Sequence, residues 1–242
     1  KRGLRQLVIG GMLALAYRRA NKIVANSKST KNALQATFAF VENKVDIIPN
    51  PIDFDSLKSG GQLSFHCPWM ESDEEKVIAS VGRLHPVKNF SLLIEAFATA
   101  VITYPQLRLA IIGEGKLRAD LEKLTVDLGI EDKVNLLGFI SEPSQVLARC
   151  DLYVQTSVSE AFGNALVEAM SCGTAVMAMD CPGAPREIIE DNKSGYLFPR
   201  CNSEELAELI SRYFSGDLEI DRAVCSDLEN NYSAEIIAQR YL

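Results

Sequence analysis

The 242-residue sequence contains only two histidines, and none of its six cysteines (Cys67, Cys150, Cys172, Cys181, Cys201, Cys225) stands in a CxxC pair. The only histidine near them is His66. That spacing suits no zinc site and no disulfide framework, so the thiols are expected to be reduced and mostly core fillers, as in a cytosolic protein. Long apolar runs are missing too. The longest, residues 7–16, falls well short of the roughly 20 residues that cross a bilayer. A secretory leader would end in a small-residue cleavage site, whereas Tyr17-Arg18-Arg19 follows this run. The chain opens at Lys1 rather than Met, and its N-terminus is expected to lie upstream. P-loop, GxSxG and HExxH patterns are absent, and no acidic cluster suggests a bound divalent metal.

Acidic residues are absent from positions 1–31, which hold eight of the 25 Lys and Arg. The rest of the chain therefore carries 17 basic against 32 acidic residues, and the whole has a formal charge of −7. An acidic body argues against nucleic-acid binding. The basic front can touch anionic lipid at a membrane periphery, and it can equally be the solvated face of a helix.

What is present is a rhythm. Short β-branched runs at 22–25, 45–48, 77–81, 107–112, 134–137, 152–155 and 175–178 alternate with helical patterns near 5–20, 28–38, 91–103, 116–128, 143–149, 163–172, 185–190 and 203–214. In 91–103, Leu92, Leu93, Ala96, Phe97, Ala100 and Val101 recur at steps of three and four. The strand runs are almost continuously apolar, as in parallel sheets covered on both faces. Alternation of β and α then predicts right-handed crossovers and a doubly wound parallel sheet, a Rossmann-like α/β fold. Residues 51–76 break the rhythm with Pro51, the Ser59-Gly60-Gly61 stretch and the charged run 71–76, and predict a linker. Residues 233–242 predict one amphipathic helix whose Ile236, Ile237 and Tyr241 pack on something.

Three turns can carry chemistry. Ser159-Glu160-Ala161-Phe162-Gly163-Asn164-Ala165-Leu166-Val167-Glu168 follows a strand and opens a helix, with seven residues between its two glutamates. Free N–H groups and the positive dipole end at Phe162, Gly163 and Asn164 attract a phosphate, and Gly163 admits close approach of a ligand. The same spacing fits a helix with a dipole-friendly glutamate and a surface Glu168. Gly82-Arg83-Leu84-His85-Pro86-Val87-Lys88-Asn89 follows another strand, where open α/β sheets bind ligands. Arg83 and Lys88 there read as a diphosphate clamp or as an ordinary basic turn, with Asn89 as a helix cap. Gly113-Glu114-Gly115 reads as a tight turn, because Arg118 stands where the dinucleotide fingerprint has its third glycine. Phe139 and Ile140, after the strand 134–137, lie on the same sheet edge, where Phe139 stacks on a base or belongs to the core.

Together these residues resemble family 4 of the glycosyltransferases: the E-x7-E pair Glu160 and Glu168 in SEAFGNALVEAMSCGTAV, the G-R-L-x-x-x-K turn of Gly82, Arg83, Leu84 and Lys88, and the IIGEG, LLGF, PREII and GYLFP segments. The resemblance covers about 22–242. It implies the C-terminal half of a GT-B enzyme, two Rossmann-like domains across a cleft, with retention of anomeric configuration. By that comparison 1–50 is a remnant of the acceptor domain, 51–76 the linker, 77–228 the nucleotide-sugar domain and 229–242 a helix crossing back. Arg83 and Lys88 would neutralise the leaving diphosphate, and backbone amides of Phe162, Gly163, Asn164 and Ala165 would hold phosphate and sugar. Glu160 would hold sugar hydroxyls, Glu168 the ribose, and Phe139 and Ile140 the base. No metal or other cofactor is implied, because cations and a helix N-terminus serve the leaving group. The CPGAPREII segment looks most like bacterial members that use UDP-sugars in building surface glycans, which implies a UDP-sugar donor and a saccharide or lipid-linked saccharide acceptor at the cytoplasmic side. Such a fragment alone is expected to bind donor weakly and transfer nothing. A non-catalytic nucleotide-binding module, a GT-B epimerase or phosphorylase, and a Rossmann dehydrogenase are the competing readings. Neither a pyridoxal lysine pattern nor the glycine fingerprint is present to support the last two.

Overall fold

The computed structural model describes residues 2–58, 67–190, 193–221 and 227–242, with the backbone alone for 2–8. Lys1, Ser59, Gly60, Gly61, His66 and Cys225 lie outside the described side chains. The chain builds a six-stranded parallel sheet from β3 (Lys76–Val81), β4 (Leu107–Ile112), β5 (Val134–Gly138), β6 (Leu152–Gln155), β7 (Ala175–Met179) and β8 (Tyr196–Phe198). Their order is β5-β4-β3-β6-β7-β8. The first half thus winds one way from β3 and the second half the other way from β6. That doubly wound arrangement has its switch point between β3 and β6, where the loops after the two strands diverge and leave a crevice.

Helices cover both faces. On one, α4 (Phe90–Thr103) packs with α9 (Ser203–Ser215) over Ile78, Leu109, Leu152 and Met177, with α5 (Arg118–Asp127) alongside. On the other, α6 (Ser144–Leu147), α7 (Asn164–Ser171) and α8 (Pro185–Ile188) cover Val77, Ala79, Tyr153 and Val176. Burial on both sides is why the strand sequences are apolar throughout. At the far end of the sheet, the Asp151 carboxylate accepts from Val77 N at 2.9 Å and Lys76 Nζ at 3.1 Å, which ties β6 to β3.

Ahead of this unit, α1 (Arg2–Arg19), β1 (Ile23–Ala25), α2 (Lys28–Thr37) and β2 (Val45–Ile47) surround a small second core of Ile23, Ala25, Val41 and Val45. Strands β1 and β2 pair in parallel, apart from the large sheet. The Glu187 carboxylate joins the two parts by accepting from Lys28 N at 2.9 Å and Ser29 N at 3.1 Å, the free amides opening α2.

Several elements differ from the sequence expectation. Within the expected linker, α3 (Phe54–Lys58) forms, and Ile52 and Phe54 are buried against the α7 side of the sheet. Strand β8 was not anticipated. Its three residues gain their partner only by pairing with β7. The C-terminal segment is two short helices, α10 (Leu228–Tyr232) and α11 (Ala234–Gln239), rather than one. Between them Ser233 is extended (ψ 151°) and bridges to Ile52, so a tertiary pairing interrupts the helix. Ile237 is buried as expected, whereas Tyr241 is exposed. Cys67, Cys150, Cys172, Cys181 and Cys201 are free thiols, three of them buried, and burial pushes Cys172 and Cys181 up to about 11. Among the described residues, no helix is long and apolar enough to cross a membrane.

Candidate functional site

The loops that leave β3 and β6 at the switch point form the walls of a cleft of about 470 Å³. Gly82, Arg83, Val87 and Lys88 come from the first loop. Glu160, Phe162, Gly163, Asn164, Ala165 and Glu168 come from the second loop and α7. An adjoining slot of about 370 Å³ shares Val81, Gly82, Arg83 and Pro143 with the cleft and is otherwise walled by Ile112, Gly113, Glu114, Phe139 and Ile140. Every residue expected from the sequence to touch a ligand therefore borders one of these two adjoining depressions at the C-terminal edge of the sheet.

The two loops are fastened to each other. Thr156 Oγ1 donates to Lys88 O at 2.9 Å and Asn89 O at 3.1 Å, and Val158 N donates to Val87 O at 2.9 Å. Gly82 leaves the space Lys88 needs: a Cβ there would stand 2.9 Å from the lysine Cε. Lys88 Nζ then reaches Glu160 Oε2 at 2.5 Å, and Ser157 Oγ donates to the same oxygen at 3.2 Å. Both ends of the pair are mostly enclosed, at 21% and 16% exposure. Asn89 does occupy the residue before α4, but its side chain makes no cap. It adopts a left-handed conformation (φ 51°), which asparagine tolerates, so that the turn can double back.

A second layer supports these loops. Leu84 N donates to Glu114 O at 2.9 Å, and Gly113 N donates to Gly138 O at 2.7 Å. A Cβ on Gly113 would sit 2.0 Å from Gly82 O, so two backbones meet there with no room for a side chain. Gly113-Glu114-Gly115 is thus a tight supporting turn, as expected. Arg118 is structural, pairing with Glu114 at 2.8 Å and donating to Leu136 O at 2.9 Å. Behind Glu160, Pro182 O accepts from Glu160 N at 3.0 Å, and a Cβ on Gly183 would stand 1.6 Å from Glu160 O. The Pro182-Gly183 turn therefore sets where the Glu160 carboxylate starts.

Arg83 is exposed and has no ion pair among the described residues. Helix α7 starts at Asn164, one residue after Gly163, so its first free amides face the cleft. The Phe162 ring is not available to a ligand. It is buried, edge-on to Tyr232 at 5.5 Å, so only its backbone serves. Glu168 is half-buried rather than on the surface, and this burial raises its carboxyl above the ordinary glutamate range. Phe139 is 79% exposed, so of the two readings for it the core one is wrong. Among the described residues, no group of three or more His, Cys, Asp or Glu forms a metal-ligand set.

Three polar cleft residues were not anticipated: Asn26, Asn50 and Gln155. Asn50 Nδ2 donates to Asn164 Oδ1 at 2.9 Å across 114 residues of sequence, which no local pattern announces. Gln155 did leave a signal, as the one amide side chain in the strand LYVQ.

Comparison with known proteins bears on this geometry. The sequence profile described as "Glycosyl transferases group 1" matches residues 67–230. The N-acetylgalactosamine-N,N'-diacetylbacillosaminyl-diphospho-undecaprenol 4-alpha-N-acetylgalactosaminyltransferase of Campylobacter jejuni is 33% identical over 217 residues, covering 90% of this chain and 57% of the relative. The poly(ribitol-phosphate) alpha-N-acetylglucosaminyltransferase of Staphylococcus aureus is 28% identical over 232 residues, covering 94% and 46%. Anabaena HepE, solved in complex with UDP and glucose, superposes with a TM-score of 0.75 at 25% identity, covering 94% of this chain and 63% of that one. The chain thus spans about half the length of the curated relatives it matches. The parallel-sheet, Rossmann-like fold matches that of GT-B glycosyltransferase structures.

Proposed function

Because the chain belongs to the glycosyl transferases group 1 family, we propose that it is the donor-binding half of a two-domain GT-B glycosyltransferase. In this reading 1–50 is the end of the acceptor domain, 51–76 the connection, 77–228 the donor domain and 229–242 the segment that returns. A nucleotide-diphosphate sugar lies in the cleft, and its glycosyl group passes, with retention, to a saccharide or lipid-linked saccharide. The observation that carries the reading is the meeting of Arg83, Lys88, Glu160, the α7 N-terminus and Glu168 around one cleft at the switch point.

Each group has work suited to its chemistry. When the glycosidic bond to the diphosphate breaks, negative charge grows on the leaving oxygens. Arg83, Lys88 and the α7 amides are fixed donors aimed at that charge, and they do what a metal would otherwise do. Glu160 accepts from sugar hydroxyls and Glu168 from ribose hydroxyls. The apolar slot beside Phe139 and Ile140 takes the base. UDP is favoured as the carrier by the HepE complex with UDP and glucose. A lipid-linked acceptor is favoured by the Campylobacter relative, whose name specifies a diphospho-undecaprenol saccharide. Transfer would then occur at the cytoplasmic face of a membrane, with the basic segment 1–31 toward the lipid.

Titration calorimetry with UDP, GDP, ADP and TDP, without metal, tests the reading. UDP is expected to bind. Arg83→Ala, at an exposed position, should melt as the wild type does and bind UDP about tenfold or more weakly, the loss of a hydrogen bond to a charged group. A folded chain that binds none of the four, in a full-length protein that also binds none, would mean a fold kept for another purpose.

A further inference from the structure

The C-terminal residues of the sheet's strands are apolar or glycine at Val81, Ile112, Gly138, Met179 and Phe198, and polar only at Gln155. Gln155 is 3% exposed and lines the cleft, and its Nε2 is enclosed with no hydrogen-bond acceptor among the described residues. A buried amide left in this state opposes folding, and a leucine of similar size would not. Such a residue is retained where a ligand completes it.

The placement says which ligand atoms are in reach. Side chains alternate along β6, so Gln155 shares with Tyr153 the face covered by α7. Its Oε1 edge lies next to Gly163, 3.8 Å from where a Cβ on that residue would stand. Gly163 is the residue ahead of α7, whose free amides open on the cleft. A carboxamide has nearly the same shape when turned half-way about its last torsion. That turn exchanges the positions of Nε2 and Oε1, moving the oxygen to the enclosed side and directing the N–H at the cleft, beside the α7 amides. Resting on the donor-site reading given above, we propose that Gln155 is a further donor-binding residue: its Nε2 donates to a diphosphate oxygen of the bound nucleotide from beneath the α7 N-terminus. The site thereby combines a neutral donor from the sheet floor with the helix amides and the two cations on its rim.

The test is UDP binding by Gln155→Leu and by Gln155→Met, which is unbranched and accommodates the same slot if leucine does not fold. Both remove the N–H and keep the volume. The expected result is a UDP affinity lower by about tenfold or more with an unchanged or raised melting temperature in the ligand-free protein, as follows from losing a hydrogen bond to a charged group. Wild-type affinity in the folded variants would overturn the proposal and leave Gln155 as a core residue. An equal loss for uridine and UDP would overturn the assignment to the diphosphate. A wild-type chain and a full-length protein that both bind no nucleotide would sink the donor-site reading itself, and this inference with it.

Discussion

Replacing Lys88 by methionine keeps most of the side-chain volume and removes the cation that Glu160 faces. At 2.5 Å the pair attracts with about 7 kcal/mol in a medium of effective dielectric near 20. Most of that is offset by the water both groups give up. What the single change exposes is the penalty on the survivor. Glu160 would keep the Ser157 hydroxyl at 3.2 Å as its remaining side-chain partner, with only 16% of its side chain reaching solvent. The expected destabilisation is about 2–3 kcal/mol, somewhat below that of a fully buried pair. For a chain of this size that is a fall in Tm of about 4–12 °C. The double variant Lys88→Met/Glu160→Gln should be more stable than the sum of the two single changes predicts, by about 1–3 kcal/mol. Denaturant melts of the four proteins of the cycle, without ligand, measure this. Strict additivity, within about 0.5 kcal/mol, would mean that the pair does not hold in solution. A functional arm follows from the same geometry. Glu160→Gln releases Lys88 for a diphosphate, so UDP should bind at least as tightly as to the wild type while a UDP-sugar binds less tightly.

Two further outcomes follow. Burial raises the Glu168 carboxyl, so its folded form favours the proton, and the associated stability is present below the ordinary glutamate range and lost as pH rises through the raised value. Glu168→Gln should therefore gain on the wild type as pH rises through that window in urea melts, while losing nucleotide affinity; a stability difference that is flat or runs the other way would contradict the assignment. Gly183→Ala would drive a Cβ against Glu160 O at a backbone angle of φ 143°, and should cost about 2–4 kcal/mol in urea unfolding. An unchanged midpoint would show that the turn behind Glu160 yields freely.

The repeating βα pattern and the apolar strands were enough to read a doubly wound parallel sheet, because both follow from local periodicity and two-sided burial. The strand order was not readable. Nothing local in the sequence says that β6 returns to the far side of β3, yet that crossing creates the cleft. Short elements failed for the same reason. Strand β8 and helix α3 are too brief to stand alone, and are held by β7 and by the burial of Phe54. In the site, Arg83, Lys88 and Glu160 were readable because each sits on a turn after a strand, and Glu168 because it lies at a fixed spacing from Glu160 in the helix that follows. The partners that arrive from elsewhere, Asn26, Asn50 and the Glu187 contact to α2, were not. Phe139 could be read two ways because exposure depends on what the chain leaves uncovered.

The two rim cations are in different states before any ligand arrives, and this orders their roles. The chain carries a net charge of −7, so on the proposed reading a nucleotide-diphosphate sugar would be repelled at long range and would have to be drawn in locally. Lys88 cannot do this, because Glu160 already neutralises it. Arg83, exposed and without an ion pair among the described residues, can, aided by the α7 amides across the cleft. Once a diphosphate sits between them, Lys88 has two anions to choose from, and the sugar hydroxyls offer Glu160 hydrogen bonds that replace the ones it loses. On the proposed reading, exchange of partners would couple sugar recognition to stabilisation of the charge growing on the leaving group. A nucleotide without sugar gives Glu160 nothing in return and leaves Lys88 shared. On the proposed reading, Arg83 would set how readily the donor enters, and the Lys88–Glu160 pair would set whether what has entered carries a sugar.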